Sequence, residues 1–174
     1  VFVTVSDDLD LFVSNLFYVN ENSFLIQNFD MTSVILRKVF LPLMIIYLLI
    51  LPFFSKYLSI KKLFLGFEFS LKYISFIFFV SLFNLLVIIN YLLKGHWGRA
   101  RPNDITYMGG NDNFTPWYKI SEACASNCSF VSGDASVGFS LIIFYFITKN
   151  KLFIWFAIFS GFILGLVRIM EGGH

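Results

Sequence analysis

The stretch "YISFIFFVSLFNLLVIINYLL", from Tyr73 to Leu93, decides the fold class because it is long, apolar and free of charged side chains. A helix that crosses a bilayer needs about 20 apolar residues, each adding about 1.5 Å to its length. The run is continuous, whereas the strands of a membrane barrel alternate between apolar and polar residues. It therefore predicts a transmembrane α-helix.

Three further apolar runs flank this one, at Val34–Phe54, Ala135–Thr148 and Leu152–Val167. The last two look short for full spans, although a helix can enter the bilayer from a site lined by protein. The chain is 57% hydrophobic and 14% charged, with 24 phenylalanines, whereas soluble domains average about 45–50% apolar and about 25% charged residues. We expect an all-α, polytopic transmembrane helix bundle with a long extracytoplasmic loop.

A single membrane-embedded domain is expected over residues 1–174. The chain does not begin with Met, and "VFVTV" (Val1–Val5) looks like the tail of an earlier hydrophobic segment. We therefore expect a bundle cut at both ends, with at least one further helix after residue 174. The net charge of +2 and the lack of a long basic stripe exclude a nucleic-acid-binding protein.

The loops predict which way the bundle faces. The links Ser55–Lys62 and Lys149–Lys151 carry lysines and no acid, whereas the long loop Lys94–Asp134 balances basic and acidic residues. By the positive-inside rule, the two lysine links are cytoplasmic. The long loop then lies on the opposite face. Two other polar stretches lie there with it, the amino-terminal one with Asp7, Asp8 and Asp10, and the carboxy-terminal "RIMEGGH".

Both cysteines lie in the long loop, in "CASNC" (Cys124–Cys128). A pair of small buried thiols is the ordinary interpretation of such residues. Because disulfides persist outside the cytoplasm, a disulfide between Cys124 and Cys128 is favoured here. A metal site is disfavoured because it would need two more ligands, and His96 and His174 lie in other polar clusters.

The polar clusters are rich in groups that bind anions. "KGHWGRARP" (Lys94–Pro102) gathers cations directly behind the apolar run, and "SFVSGDAS" (Ser129–Ser136) begins the next apolar helix. A helix start offers unpaired N–H groups and the positive end of its dipole to a phosphate. Taken singly, these residues are explained as helix caps, and Arg168 and His174 as a membrane anchor and a surface residue. Together they form a convergent set of donors, whose charges are costly within a membrane unless a ligand or partner pairs them.

Three motifs, in order along the chain, resemble the signature of the type 2 phosphatidic acid phosphatase superfamily. They are Lys94 with Arg101-Pro102, then Ser132-Gly133, then Arg168 with His174. The segments "KGHWGRARP", "GGNDNFTP" and "NCSFVSGDAS" are most similar to the bacterial lipid A phosphatase branch. The resemblance implies a six-helix bundle in the bacterial inner membrane that hydrolyses a lipid phosphomonoester without a metal or other cofactor, with its site facing the periplasm.

The resemblance also implies a role for each motif residue. His174 is the nucleophile, which forms a phosphohistidine intermediate. The phosphate-binding residues are Lys94, Arg101, Ser132, Gly133 and Arg168. The family usually has histidine where this chain has Asp134, so Asp134 is expected to be the general acid, with His96 as a less favoured proton source. A family aspartate that would orient His174 falls beyond residue 174, and Trp97 and Arg99 are expected in supporting or interfacial positions.

Two alternatives stay open. One is a polyprenyl diphosphate phosphatase of the same superfamily. The other is a non-catalytic membrane protein that keeps a phosphate-binding pocket, an interpretation that Asp134 and the end of the chain at His174 support. A vanadate haloperoxidase shares the anion-binding motifs but is disfavoured for a membrane protein. The expected partners are a lipid phosphate and the bilayer, and the sequence predicts no obligate protein partner.

Overall fold

The structure is a computed structural model that describes residues 2–20, 23–26, 30–54, 69–125 and 128–174, with side chains from Leu9 onward. The lysine link Ser55–Lys62, on which part of the predicted orientation depends, lies outside the described residues. The other lysine link, Lys149–Lys151, is described and forms a tight turn between two helices.

The described residues are mostly helical. Helix α1 is Phe2–Asn15, and a short antiparallel hairpin pairs β1, Tyr18–Asn20, with β2, Ser23–Phe24. Helix α2 is Met31–Phe54, with π-helical stretches at Val34–Phe40 and Ile46–Ile50. Helix α3 runs through Leu71–Phe83, Asn84–Lys94 and Gly95–Trp97, and two 3-10 turns follow at Pro102–Asp104 and Thr106–Met108. Helices α4, α5 and α6 are Gly133–Ser140, Ile142–Thr148 and Leu152–Met170.

These elements confirm the predicted all-α bundle. Three of the helical stretches are long and apolar enough to cross a membrane, namely Met31–Phe54, Leu71–Asp104 and Leu152–Met170. The fourth predicted run, Ala135–Thr148, forms the shorter pair α4 and α5, which meet at Leu141. The β1–β2 hairpin was not predicted, since strands of three and two residues are too short to leave a periodic signal.

Helix α6 is longer than the sequence predicted and ends at Met170 rather than Val167. The predicted span followed the apolar residues alone and therefore stopped before the charged Arg168. In the structure the Arg168 guanidinium is paired with Glu171, Nη1 to Oε2 at 2.6 Å, so the helix continues through it. At 19 residues, α6 is long enough to span the bilayer.

Small residues let α4 and α6 cross closely. A Cβ added to Gly138 would lie 2.7 Å from the Cα of Gly161, and Ser160 Oγ donates a hydrogen bond to the Gly138 carbonyl at 3.1 Å. Nearer the start of α4, Ala135 packs against Gly165. Close backbone approach through small residues is a common way to join helices in membranes. The crossing is antiparallel, so the start of α4 meets the end of α6.

The apolar interior is divided between the two ends of the bundle. We call the larger cluster the apolar core, and its buried members are Leu48, Phe69, Ile74, Ile77, Leu141, Ile143, Phe144, Phe153 and Ala157. A smaller cluster, the loop core, lies under the long loop and contains Phe24, Ala100, Ile105 and Met108. The Lys149–Lys151 turn adjoins the apolar core at the start of α6. Residues 168–174 lie at the other end of the same helix, about 28 Å away at 1.5 Å per residue.

Candidate active site

The first motif is placed by the end of α3 and a turn at Gly98. Lys94 closes the stretch Asn84–Lys94, and Gly98 ends the helix with φ +61°. A side chain on Gly98 would overlap the Ser121 carbonyl, so only glycine fits this turn. Beyond it, the Arg99 carbonyl accepts a 2.9 Å hydrogen bond from the Ser129 amide. The first motif is therefore joined to the segment that precedes α4.

The second motif forms the start of α4. Ser132 is its N-cap, with Oγ accepting a 3.3 Å hydrogen bond from the Ala135 amide, as its residue type predicts. A Cβ added to Gly133 would lie 3.7 Å from the Lys94 Nζ. The ammonium group of the first motif thus faces the first turn of α4. Both features favour an anion there, because helix starts also carry a positive dipole end.

The third motif is shaped by the end of α6. Gly172 adopts φ +64°, its amide donates to the Ile169 carbonyl at 2.9 Å, and the Gly173 amide donates to the Arg168 carbonyl at 2.9 Å. This pair of bonds is a Schellman ending, which reverses the chain after the last helical turn. A Cβ on Gly173 would lie 2.6 Å from the Arg168 Cζ, so the guanidinium packs directly on this backbone. The reversal brings His174 back toward Arg168.

Hydrogen bonds to backbone groups join the three motifs to one another. Besides the bond between Ser129 and Arg99, the Ser129 carbonyl pairs with Nδ1 of His174, and the Asn103 amide donates to the Gly172 carbonyl at 3.1 Å. The three polar clusters predicted from sequence therefore converge at one end of the bundle. The predicted site residues brought together there are Lys94, Arg101, Ser132, Gly133, Asp134, Arg168 and His174.

The electrostatics of His174 keep its imidazole neutral. Burial, together with the positive charges of Arg168, Lys94 and Arg101, lowers its pKa from the ordinary 6.5 to about 2. A carbonyl oxygen can only accept a hydrogen bond, so Nδ1 must carry the proton that it shares with Ser129. The lone pair then resides on Nε2. A neutral imidazole with a fixed tautomer is the form that a nucleophile requires.

Asp134 lies between two arginines. Its Oδ2 is 3.1 Å from Nε of Arg37 and 3.7 Å from Nε of Arg168, and its side chain is 22% exposed. The charge of this carboxylate also attracts the Lys94 ammonium. Asp134 therefore lies among cations of the first and third motifs and Arg37, where it acts as a hydrogen-bond acceptor in this structure.

Sequence reasoning missed two charged residues at this site, Arg37 and Glu171. The Glu171 carboxylate is buried and bonds Nη1 of Arg168 at 2.6 Å and Nη1 of Arg37 at 3.1 Å, while Ser33 Oγ donates to it at 2.5 Å. Two signals could have found them. Glu171 follows Arg168 at the i+3 spacing of a helical ion pair, and Arg37 is an ionisable residue inside an apolar run, which by itself indicates a functional position.

Two other polar residues of the long loop, Arg99 and His96, make hydrogen bonds that hold the loop in place. Buried Arg99 donates to the Thr115 carbonyl at 3.0 Å and to Asp10 at 2.6 Å, so the acidic amino-terminal helix reaches the site end of the bundle, as the loops predicted. Asp7 and Asp8 have no described side chains. His96 is exposed, and its Nδ1 pairs with the Tyr91 carbonyl at 2.8 Å.

The long loop is further fixed by a disulfide and by aromatic contacts. Cys124 and Cys128 form a disulfide whose Cα atoms lie 5.6 Å apart. Trp97 Nε1 donates to the Trp117 carbonyl at 2.6 Å, and its ring lies on Phe130. Across the described ranges, no group of three His, Cys, Asp or Glu side chains is arranged to hold a metal ion.

The fold and the site define a membrane helix bundle with a cationic, histidine-containing pocket at one end. A family model described as the PAP2 superfamily matches residues 72–174, more than half of the chain, and the chain belongs to that superfamily. The predicted family is thus confirmed.

Similar proteins point to one branch of the superfamily. The chain is 40% identical over 114 residues to a lipid A 4'-phosphatase of Francisella tularensis subsp. novicida, an overlap that covers 62% of this chain and 51% of the relative. It is 39% identical over 66 residues to a lipid A 4'-phosphatase of Rhizobium etli, covering 37% of this chain and 26% of the relative. The chain thus spans about half the length or less of these curated relatives. No solved structure was found to match it.

Proposed function

We propose that the chain is the site-bearing part of a lipid phosphatase that hydrolyses a phosphomonoester of a lipid A-like membrane lipid, with no metal or other cofactor. The observation that carries the proposal is the convergence of three motifs around a neutral His174, whose neighbours Lys94, Arg101 and Arg168 are cations. The name of the relatives supports lipid A as the substrate class and the 4'-phosphate as the first position to test.

In the first step, Nε2 of His174 attacks phosphorus and the bond from phosphorus to the lipid oxygen breaks. The leaving alkoxide takes a proton from the general acid, for which we propose Asp134 in its protonated form. The product is a phosphohistidine that keeps the Nδ1 proton, and the Ser129 carbonyl stabilises its positive ring. Lys94, Arg101 and Arg168 neutralise the charge on the non-bridging oxygens, which is the main catalytic contribution in phosphoryl transfer.

In the second step, water attacks the phosphohistidine, the bond from phosphorus to Nε2 breaks, and inorganic phosphate leaves. Asp134 accepts the proton of this water and is ready for the next cycle. Substrate phosphate also benefits from the start of α4, where Ser132 and the Gly133 amide provide uncharged donors.

We also propose that the site faces the periplasm from the bacterial inner membrane. The Lys149–Lys151 turn lies at the start of α6 and His174 follows its end, so a cytoplasmic lysine turn puts the site on the opposite face. A disulfide in the long loop agrees with an oxidising compartment.

The test is phosphate release by the full-length protein in detergent. The substrates are lipid A carrying only the 4'-phosphate, an isomer phosphorylated elsewhere, phosphatidic acid and undecaprenyl diphosphate. We expect the first to be hydrolysed fastest, without loss in EDTA and with inhibition by orthovanadate, which occupies the same donors as a transition-state-like anion. Preference for the diphosphate would favour the polyprenyl alternative, and phosphate binding without release would favour the non-catalytic one.

The covalent step has a separate test. With substrate labelled at phosphorus, a rapid quench under alkaline conditions should trap acid-labile label on the parent protein and none on His174→Gln. Label that persists on the His174→Gln protein would contradict the phosphohistidine mechanism.

A further inference from the structure

A buried carboxylate ties helix α2 to the end of α6. The Glu171 side chain is 1% exposed, and it bonds Arg168 at 2.6 Å and Arg37 at 3.1 Å. The Ser33 hydroxyl, also on α2, donates to its second oxygen. A buried charge is tolerated only when partners compensate it. These contacts hold Arg37 in a fixed position although it lies 134 residues from Glu171 in the sequence.

Arg37 reaches the same anion position as Arg168. The Asp134 Oδ2 atom is 3.1 Å from Nε of Arg37 and 3.7 Å from Nε of Arg168. One oxyanion is therefore shared by two guanidiniums, one from a helix without any of the three motifs. A phosphate oxygen is the same kind of acceptor, and the planar fork of arginine suits it.

The net charge of the site is a second reason to assign phosphate binding to Arg37. A phosphomonoester carries a charge of about −1.5 to −2 at pH 7. Lys94, Arg101 and Arg168 supply three positive charges, of which Asp134 and Glu171 cancel two. In the ligand-free site, where the Asp134 carboxylate pairs with arginine, Arg37 raises the net charge from one positive charge to two, which favours the entry of a phosphate dianion.

We propose that Arg37 is a further phosphate-binding residue and that Glu171 is the residue that positions both Arg37 and Arg168. This inference rests on the proposed function for its ligand, a phosphomonoester. Glu171 does not contact the phosphate; it acts through the two guanidiniums that it holds.

The first experiment measures binding of inorganic phosphate to the full-length protein in detergent by titration calorimetry. Arg37→Ala should weaken phosphate binding by about tenfold or more, the effect of losing one charge-assisted hydrogen bond. Arg37→Lys keeps the positive charge but lacks the planar guanidinium. Its affinity for phosphate should lie between those of Arg37→Ala and the parent. The matched control is Lys38→Ala, which removes a positive charge from the next, exposed residue of α2 and should bind phosphate as the parent does. Parent-like binding by Arg37→Ala, or an equal loss in Lys38→Ala, would overturn the inference.

The second experiment separates positioning from charge with Glu171→Gln. This change adds a net positive charge to the site, which offsets part of the misplacement, so binding of inorganic phosphate should change much less than kcat. The kcat for lipid substrate should nevertheless fall by about tenfold or more, because misplaced guanidiniums lose transition-state contacts. Should Glu171→Gln not fold, Glu171→Asp withdraws the carboxylate by one methylene and should give the same loss of kcat. A parent kcat in the folded variant would refute the positioning role.

The two experiments also separate this inference from the proposed function. A full-length protein that releases no phosphate from any lipid contradicts the proposed function, while the calorimetric comparison still decides whether Arg37 binds phosphate. A protein that hydrolyses lipid phosphate equally well with and without Arg37 contradicts this inference alone.

Discussion

The two ends of the bundle are built on opposite principles. In the apolar core, Phe144 is fully buried and its ring contacts those of Tyr47, Phe69 and Phe153. At the site end, the buried side chains include Arg168 and Glu171, which are charged. Burying an ion pair seldom stabilises a protein more than apolar packing of the same volume. We expect the apolar core to supply most of the stability, whereas the costly charges at the site end fit the binding and chemistry proposed above.

The sharpest way to separate the two ends is a change at His174. If His174 is the nucleophile, His174→Gln in the full-length protein should lower kcat on lipid substrate by about 10⁴-fold or more. The thermal unfolding temperature should change little, because the apolar core is untouched. Phosphate release and unfolding are measured on the same detergent preparation. A parent-like rate, or a collapse of stability, would break the proposed division between the two ends.

The reciprocal change is made in the apolar core. Phe144→Ala should lower the free energy of unfolding by about 3–5 kcal/mol, because the cavity removes ring contacts on three sides. The kcat of the remaining folded protein should stay close to that of the parent. The control is Phe146→Ala on the same helix, whose ring is 58% exposed and should matter little. If both variants lose the same free energy of unfolding, the ring contacts of Phe144 are not what stabilises the apolar core.

Asp134→Asn sharpens the comparison within the site. If Asp134 is the general acid, the variant should hydrolyse lipid substrate about 10²-fold more slowly, the typical effect of losing acid catalysis. p-Nitrophenyl phosphate should be affected far less, because its leaving group needs little protonation. Asp134→His should retain measurable activity, since it restores the residue that the family usually has there. Equal losses on both substrates would instead assign Asp134 to holding Arg37 and Arg168.

The smallest expected effect concerns His174, whose side chain should not titrate between pH 8 and 5. Since burial and neighbouring cations lower the His174 pKa to about 2, its folded form should stay neutral between pH 8 and 5. In a ¹³C-histidine-labelled protein carrying His96→Gln, the His174 resonance should not shift over that range. The unfolded chain takes up this proton below about pH 6.5 and the folded chain does not, so this group makes acidification destabilising. A titration midpoint near pH 6.5 for His174 in the folded protein would show that its imidazole is exposed to solvent.

The sequence predicted most of the bundle and the motif residues, for different reasons. Long apolar runs predict spanning helices through their length, and the resemblance to the family's three motifs predicted Lys94, Ser132 and His174 as site residues, which the structure places at one end of the bundle. Arg37 and Glu171 escaped because their pairing spans 134 residues and depends on how α2 packs on α6. The contact between the Ser129 carbonyl and His174 could not be predicted either, because every residue type has a backbone carbonyl.

The shortness of helices α4 and α5 sets the depth of the candidate site in the membrane. Gly133–Thr148 rises about 24 Å at 1.5 Å per residue, less than the hydrocarbon thickness of about 30 Å. With Thr148 at one boundary of the hydrocarbon, Gly133 lies about 6 Å below the other. In the proposed lipid phosphatase, a lipid held in the leaflet would therefore bring its phosphate to the site from the side, with its acyl chains still in the hydrocarbon.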